Sequence, residues 1–208
     1  MRIKVCGITN AADARAAIEA GADALGFNCH RGSKRWLDVV EASGWIATLP
    51  GSVGRIAVMV DPAWEEALAI ARLPFIDALQ LHGRESDRFC ARLAGEGIRF
   101  SKALPAMEPE ALARARSFST DTIVLDSTSG ADFGGTGRAF PWEIAARFVS
   151  DQPTLRLVLA GGLTPANVQQ AIKTVRPFAV DVTGGVEMAP GRKDHALVAR
   201  FIMAARTV

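Results

Sequence analysis

The sequence predicts an α/β fold, a single (β/α)8 barrel of the TIM type spanning residues 1–208, on three observations. Eight short β-branched or apolar runs recur along the 208 residues. Each is followed by a helix-like stretch or by enough chain to hold one, the signature of parallel βα units. Dividing, 208/8 = 26 residues per unit, which is lean but workable for barrels that start at roughly 200 residues. No G-x-G-x-x-G occurs anywhere, whereas the competing doubly wound sheet would usually carry one after its first strand.

In chain order, "IKVCGI" (3–8) is the first strand, and "AADARAAIEAG" behind it has apolar residues at helical spacing. "ADALGFN" (22–28) and "GRIAVMV" (54–60) are the second and third, the latter leading into the helical pattern of "WEEALAIARLP". "IDALQLHG" (76–83), "IRFSKAL" (98–104) and "DTIVLD" (121–126) continue the series. "LRLVLAGG" (155–162) precedes "PANVQQAIKTV", read as a helix capped by Thr164 with Pro165 in its first turn. "FAVDVTGG" (178–185) is the eighth strand, and the chain ends on the amphipathic "HALVARFIMAAR". No Pro/Gly/Ser-rich linker interrupts the rhythm, so one domain is expected.

Composition narrows the function. Hydrophobic residues make up 49% and charged residues 22%, an ordinary globular balance. The net charge is +2, and the basic residues are scattered among acids rather than clustered, so no nucleic-acid partner is expected. A weakly basic chain still suits a small anionic ligand where arginines converge. Cys6, Cys29 and Cys90 are odd in number and widely spaced, and His30, His82 and His195 show no H-x-x-x-H spacing. Neither a metal site nor a disulfide framework is predicted. With no signal-peptide core and no apolar run near the length of a membrane span, the expectation is a cytoplasmic protein without a membrane partner.

In a parallel barrel the loops at the C-terminal strand ends build the active site. The reactive residues at those ends are few: Cys6 after strand 1, Arg35 in the loop after strand 2, His82 ending strand 4, and Asp126 ending strand 6. Gly161 and Gly162 end strand 7, and Gly184 and Gly185 end strand 8. Bare backbone at these two loops, with helix amides behind it, suits a phosphate, and "VEMAPGRKD" leaves room for a short extra helix. Strands 1 and 6 face each other obliquely across the mouth, so Cys6 and Asp126 could serve as a base and an acid on two sides of a substrate. Taken singly, each has a plainer reading: an inert buried thiol, a helix-capping aspartate, a solvated arginine, a structural histidine. Arg35 would otherwise be a fork for a carboxylate, and Gln80 shares a strand face with His82.

The stretches "KVCGIT", "GADALGF", "SKR", "LQLHG", "LD" followed by "GGTG" and "FPW", "LAGGLTPANV", "AVDV" and "GVEMAPGRKD" resemble those of the phosphoribosylanthranilate isomerases of tryptophan biosynthesis. They match in order and spacing from residue 4 to about 195. The resemblance implies a cofactor-free barrel that performs an Amadori rearrangement of N-(5-phosphoribosyl)anthranilate, an aminoaldose, into the aminoketose. Carried over, Asp126 would be the general acid, Cys6 the general base, and Arg35 the holder of the anthranilate carboxylate. Gly161, Gly162, Thr183 and Gly184 would bind the phosphate, and the "GGTG" loop (134–137) resembles the family's loop over the site. His82, read from its strand end alone, would either line the substrate pocket or be a satisfied structural histidine. The partner would be a small phosphosugar, and the chain a monomer or homodimer.

Three places depart from the family pattern. Asn28, Cys29 and His30 replace apolar or aromatic residues near the expected anthranilate pocket; Pro141 stands where an aspartate is usual; and Thr183–Gly184 stand where two serines are common. Alternatives from other classes are a non-catalytic phosphosugar-binding barrel and a barrel isomerase with a shifted substrate.

Overall fold

The computed structural model describes residues 1–127 and 140–208. The "GGTG" segment (134–137) falls outside them. Eight parallel strands close on themselves in sequence order: β1 (Arg2–Cys6), β2 (Ala24–Asn28), β3 (Gly54–Met59), β4 (Ala78–Leu81), β5 (Phe100–Pro105), β6 (Thr122–Asp126), β7 (Arg156–Leu159) and β8 (Ala179–Val182). All eight predicted runs hold a strand. The helices are α1 (Ala11–Glu19), α2 (Ser43–Ile46), α3 (Trp64–Ala71), α4 (Asp87–Gly95), α5 (Pro109–Ala113), α6 (Trp142–Asp151), α7 (Val168–Val175) and α8 (His195–Arg206). With α2 and α5 cut to 4 and 5 residues, eight units fit a chain of this length.

Strand alternation sorts the side chains into two cores. On β1, Ile3 and Val5 point outward into the large apolar layer under the helices, joined there by Phe27, Leu79, Leu125 and Val180. Lys4 and Cys6 point inward. The barrel interior holds a smaller apolar cluster of Ala103, Val124, Val158, Ala160 and Ala179, and small residues there leave room for long polar ones opposite. Where β1 meets β8, Lys4 stands in register with Asp181.

Local chemistry sets the helix starts. The side chain of Asn10 accepts from Asp13 N, Ser86 from Phe89 N, and Asp194 from Leu197 N, each capping its helix. Two expectations need correction. The helix expected from Thr164 begins as α7 only at Val168, because Asn167 folds back: its Oδ1 accepts from Thr164 N at 2.8 Å and its Nδ2 donates to Gly162 O at 2.9 Å. These bonds hold residues 164–167 as a turn. In addition, "VEMAPGRKD" forms only one 3-10 turn (Gly184–Val186) before a two-stranded hairpin, β9 (Glu187–Ala189) with β10 (Arg192–Lys193). Gly191, with φ at 79°, makes the hairpin's tight turn. α6 has no side-chain cap at Pro141, whose ring offers no acceptor.

Candidate active site

A cavity of about 710 Å³ opens at the C-terminal end of the barrel. Cys6, Arg35, His82 and Asp126 line it, and so do Gly161, Gly162, Thr183 and Gly184. Residues from β1, β2, β4, β6, β7 and β8 thus converge on one space although up to 178 positions separate them in the chain.

Each is placed by its strand. Cys6 ends β1 with its thiol turned inward against Gly26; a Cβ there would stand 2.5 Å from Sγ and 3.0 Å from Lys4 Cε. Glycine at 26 is therefore what lets the thiol and the lysine stem share the floor. Asp126 ends β6. Its Oδ1 accepts from Ser127 Oγ at 3.3 Å, and its Oδ2 lies 3.5 Å from His82 Nε2. His82 follows the last residue of β4, its backbone N–H donating to Met59 O. Gly161 and Gly162 have φ of 79° and 66°, and a Cβ on Gly161 would fall 2.5 Å from Ser127 N. Across from them, Gly185 is demanded by packing, because any side chain would run into Leu163 O; at Gly184 the nearest atom is Arg35 Nη2 at 3.6 Å. Gly185 locks loop 8 onto loop 7, and Gly184 faces the open space.

The guanidinium of Arg35 is held by Glu187: Nε donates at 2.9 and 3.1 Å and Nη2 at 2.7 Å. Lys193, fully buried, donates to the same carboxylate at 2.9 Å. Burial opposes ionisation of Glu187, but the two cations outweigh it and hold its carboxyl below the usual range. The hydrogen bonds that Arg35 donates to Glu187 keep the guanidinium charged.

Beneath the cavity lies a polar floor. Lys4 Nζ donates to Asp181 Oδ2 at 2.6 Å and to Gln80 Oε1 at 2.9 Å, and Gln80 Nε2 meets His82 Nδ1 at 3.2 Å. Burial works against the lysine charge, but Asp181 and Cys6 outweigh it and push its pKa up to about 12. Lys4, Arg35 and Lys193 each interact electrostatically with Cys6. Burial pushes the His82 imidazole below its ordinary value, with Asp126 opposing and Lys4 and Lys102 adding to the effect.

Sequence reasoning had not singled out Lys4, Asp181, Glu187 or Lys193. One signal was available: a single charged residue inside each of two apolar strand runs, "IKVCGI" and "FAVDV", on strands that become neighbours once a barrel closes.

Comparison with known proteins agrees with this geometry. Residues 3–204 match the family model described as N-(5'phosphoribosyl)anthranilate (PRA) isomerase. The chain belongs to that family. The N-(5'-phosphoribosyl)anthranilate isomerase of Thermotoga neapolitana is 43% identical over 206 residues, covering 99% of this chain and 98% of the relative. The crystal structure of the phosphoribosyl anthranilate isomerase of Thermotoga maritima superposes with a TM-score of 0.90 at 38% identity, covering 100% of both chains. A further isomerase structure, in complex with reduced 1-(o-carboxyphenylamino)-1-deoxyribulose 5-phosphate, matches with a TM-score of 0.86 at 37% identity over 100% of both.

For an isomerase of this family, the departures after β2 now have places. Asn28 and His30 line the cavity, and Asn28 Oδ1 accepts from His30 N at 3.0 Å. Cys29 does not line it: it packs toward the helix layer, where burial, with Glu66 and Asp38 nearby, pushes its thiol up to about 12. Of the three residues expected together near one pocket, two line the cavity and Cys29 does not, because alternation along the chain turns the middle one outward. Among the described residues no helix is long and apolar enough to cross a membrane.

Proposed function

We propose that this chain converts N-(5'-phosphoribosyl)anthranilate into 1-(2-carboxyphenylamino)-1-deoxyribulose 5-phosphate, a step of tryptophan biosynthesis, with Asp126 as general acid and Cys6 as general base. The observation that carries the reading is the meeting of these two groups, on β1 and β6, at one cavity whose far wall is the glycine-lined pair of loops after β7 and β8. It draws further support from the relative that holds the reduced form of the aminoketose product.

The steps balance as an isomerisation. Asp126 gives its proton to the ribose ring oxygen, the C1'–O bond breaks, and a protonated Schiff base forms. The Cys6 thiolate takes the proton from C2', and the electron pair moves through the C1'–C2' bond to neutralise the nitrogen. The resulting enolamine takes the proton back at C1' from the Cys6 thiol, gives up the proton of its 2'-hydroxyl to the Asp126 carboxylate, and becomes the ketone with both groups restored. What C2' loses C1' gains, and no oxidant or reductant is consumed. The backbone at Gly161, Gly162 and Gly184 and the hydroxyl of Thr183 would bind the phosphate. Glu187 occupies the Nε–Nη2 edge of Arg35, leaving the second edge of the fork for the anthranilate carboxylate.

The test is the loss of anthranilate fluorescence when purified protein meets freshly generated substrate. Wild type should turn over, and Cys6→Ala and Asp126→Asn should each lose roughly 10²–10⁴-fold, the usual share of acid–base catalysis. A wild type no faster than its variants would overturn the assignment.

A further inference from the structure

We propose that Gln80 is a positioning residue of this site: fixed by the Lys4 ammonium, its amide holds His82 as the neutral imidazole with the proton on Nε2, facing the Asp126 carboxyl. Its catalytic meaning rests on the reading of Asp126 as the acid; the protonation state itself does not.

The argument is one of donors and acceptors. An ammonium only donates, so the Gln80 atom 2.9 Å from Lys4 Nζ is the carbonyl oxygen. Asp181, 2.6 Å away on the other side, keeps that lysine charged. The amide nitrogen is thereby turned to His82 Nδ1, 3.2 Å away, and an amide nitrogen also only donates. Nδ1 must then offer a lone pair. The Nδ1–H tautomer, or the imidazolium, would press two donors together inside a barrel where Gln80 is 2% and Lys4 7% exposed, with the cost of an unmet buried polar group. The single proton of the neutral ring therefore sits on Nε2, 3.5 Å from Asp126 Oδ2, a distance of the kind that shortens when substrate arrives.

The charges facing the imidazole are Asp126 from β6, Lys4 from β1, Asp181 from β8 and Lys102 from β5. Burial disfavours a second ring proton and the two lysines add to that, against the two carboxylates. The chemistry gains in two ways. An imidazolium beside Asp126 would hold its carboxylate ionised before the step that needs the proton. A neutral Nε2–H does not, yet it can donate to the carboxylate once that proton has gone. An amide at position 80 serves where a carboxylate would not, since Glu at this position would accept from Nδ1–H and invite the second proton.

Nitrogen NMR of protein carrying 15N-histidine reads this directly, with His82 assigned by its disappearance in His82→Asn. In wild type the ring should show an unprotonated Nδ1 and a protonated Nε2, unchanged through the neutral range. Gln80→Glu should place protons on both nitrogens at neutral pH. It should also lower kcat by roughly tenfold to a hundredfold, part of the ~10²–10⁴ that acid–base groups contribute, with little change in KM. Gln80→Leu, which removes the donor, should give a mixture of tautomers. A wild-type ring protonated on Nδ1, or titrating near its ordinary value, overturns the proposal. So does a folded Gln80→Glu that leaves the ring with one proton. Should Gln80→Glu not fold, the wild-type spectrum still decides. The spectrum needs no turnover, so it stands or falls apart from the identity of the substrate.

Discussion

Lys4 and Lys102 are both buried against a carboxylate, and the surroundings of the two pairs differ. Lys102 lies between the strand and helix layers, 2.9 Å from Glu85. It donates to Gly83 O and Ala103 O as well, while Glu85 accepts from Asp61 N and Gly83 N. Every charge there is met, and the pair ties the loops after β3 and β4 to β5. Lys4 lies inside the barrel. Its partner Asp181 keeps one oxygen, Oδ1, without a hydrogen bond among the described residues, and the lysine charge acts on Cys6 and, through Gln80, on His82. A saturated pair holds structure. The Lys4 pair instead borders the cavity, since Asp181 lines it.

The comparison can be broken in turnover first. Lys4→Met should lower kcat roughly a hundredfold, within the range of acid–base effects, whereas Lys102→Met should stay within a few-fold of wild type; steady-state fluorescence assays measure both. Equal losses would erase the distinction. Stability comes next. Either single substitution strands a buried carboxylate, at a cost of about 3–5 kcal/mol, or a melting temperature lower by roughly 6–20 °C for a domain of this size. Replacing both partners, Lys102→Met with Glu85→Leu or Lys4→Met with Asp181→Leu, should recover most of that loss in calorimetry. Turnover should return in neither Lys4 variant.

Acid sharpens the picture on a smaller scale. The Glu187 carboxyl is held below its ordinary 4.5, burial opposing and Arg35 and Lys193 prevailing. Asp13, bonded by Lys193 N and His195 against its own burial, and Asp77, bonded by Arg55 in the same way, are likewise lowered from 3.8. A depressed carboxyl contributes stability that is complete above its unfolded value and is lost as pH falls through its folded one. Denaturant midpoints should therefore decline first below about pH 6.5, where the buried neutral His82 resists a second proton, and further below pH 4.5 as the carboxyls protonate, Glu187→Gln removing part of the second decline. The smallest effect belongs to Arg72 and Glu96, a surface pair at 3.1 Å with side chains 64% and 43% exposed. Arg72→Ala should shift unfolding by less than about 0.5 kcal/mol.

Much of this was legible from sequence because parallel strands announce themselves as short apolar runs and their ends mark the site. Cys6, Asp126 and both glycine loops could be placed that way before any coordinates. Lys4–Asp181 could not, since their partnership exists only when the first strand pairs with the last, 177 residues on. The Arg35–Glu187–Lys193 cluster is hidden for the same reason: Glu187 sits on a hairpin strand that the sequence suggests as a helix. At Thr164 the cap rule pointed to the right turn and too early a start, because the Asn167 side chain folds back onto Thr164 N and Gly162 O and holds residues 164–167 outside the helix.

The register of Lys4 with Asp181 also bears on the order of events during synthesis. The ribosome makes β1 long before its neighbour β8, so the lysine beside Cys6 has no counter-ion until Asp181, 177 residues later, has emerged. An unfinished or truncated chain that wrapped β1 into a barrel would trap that bare ammonium in an apolar interior, which is strongly unfavourable. The polar floor beneath the cavity is thus assembled only once β8 has joined β1.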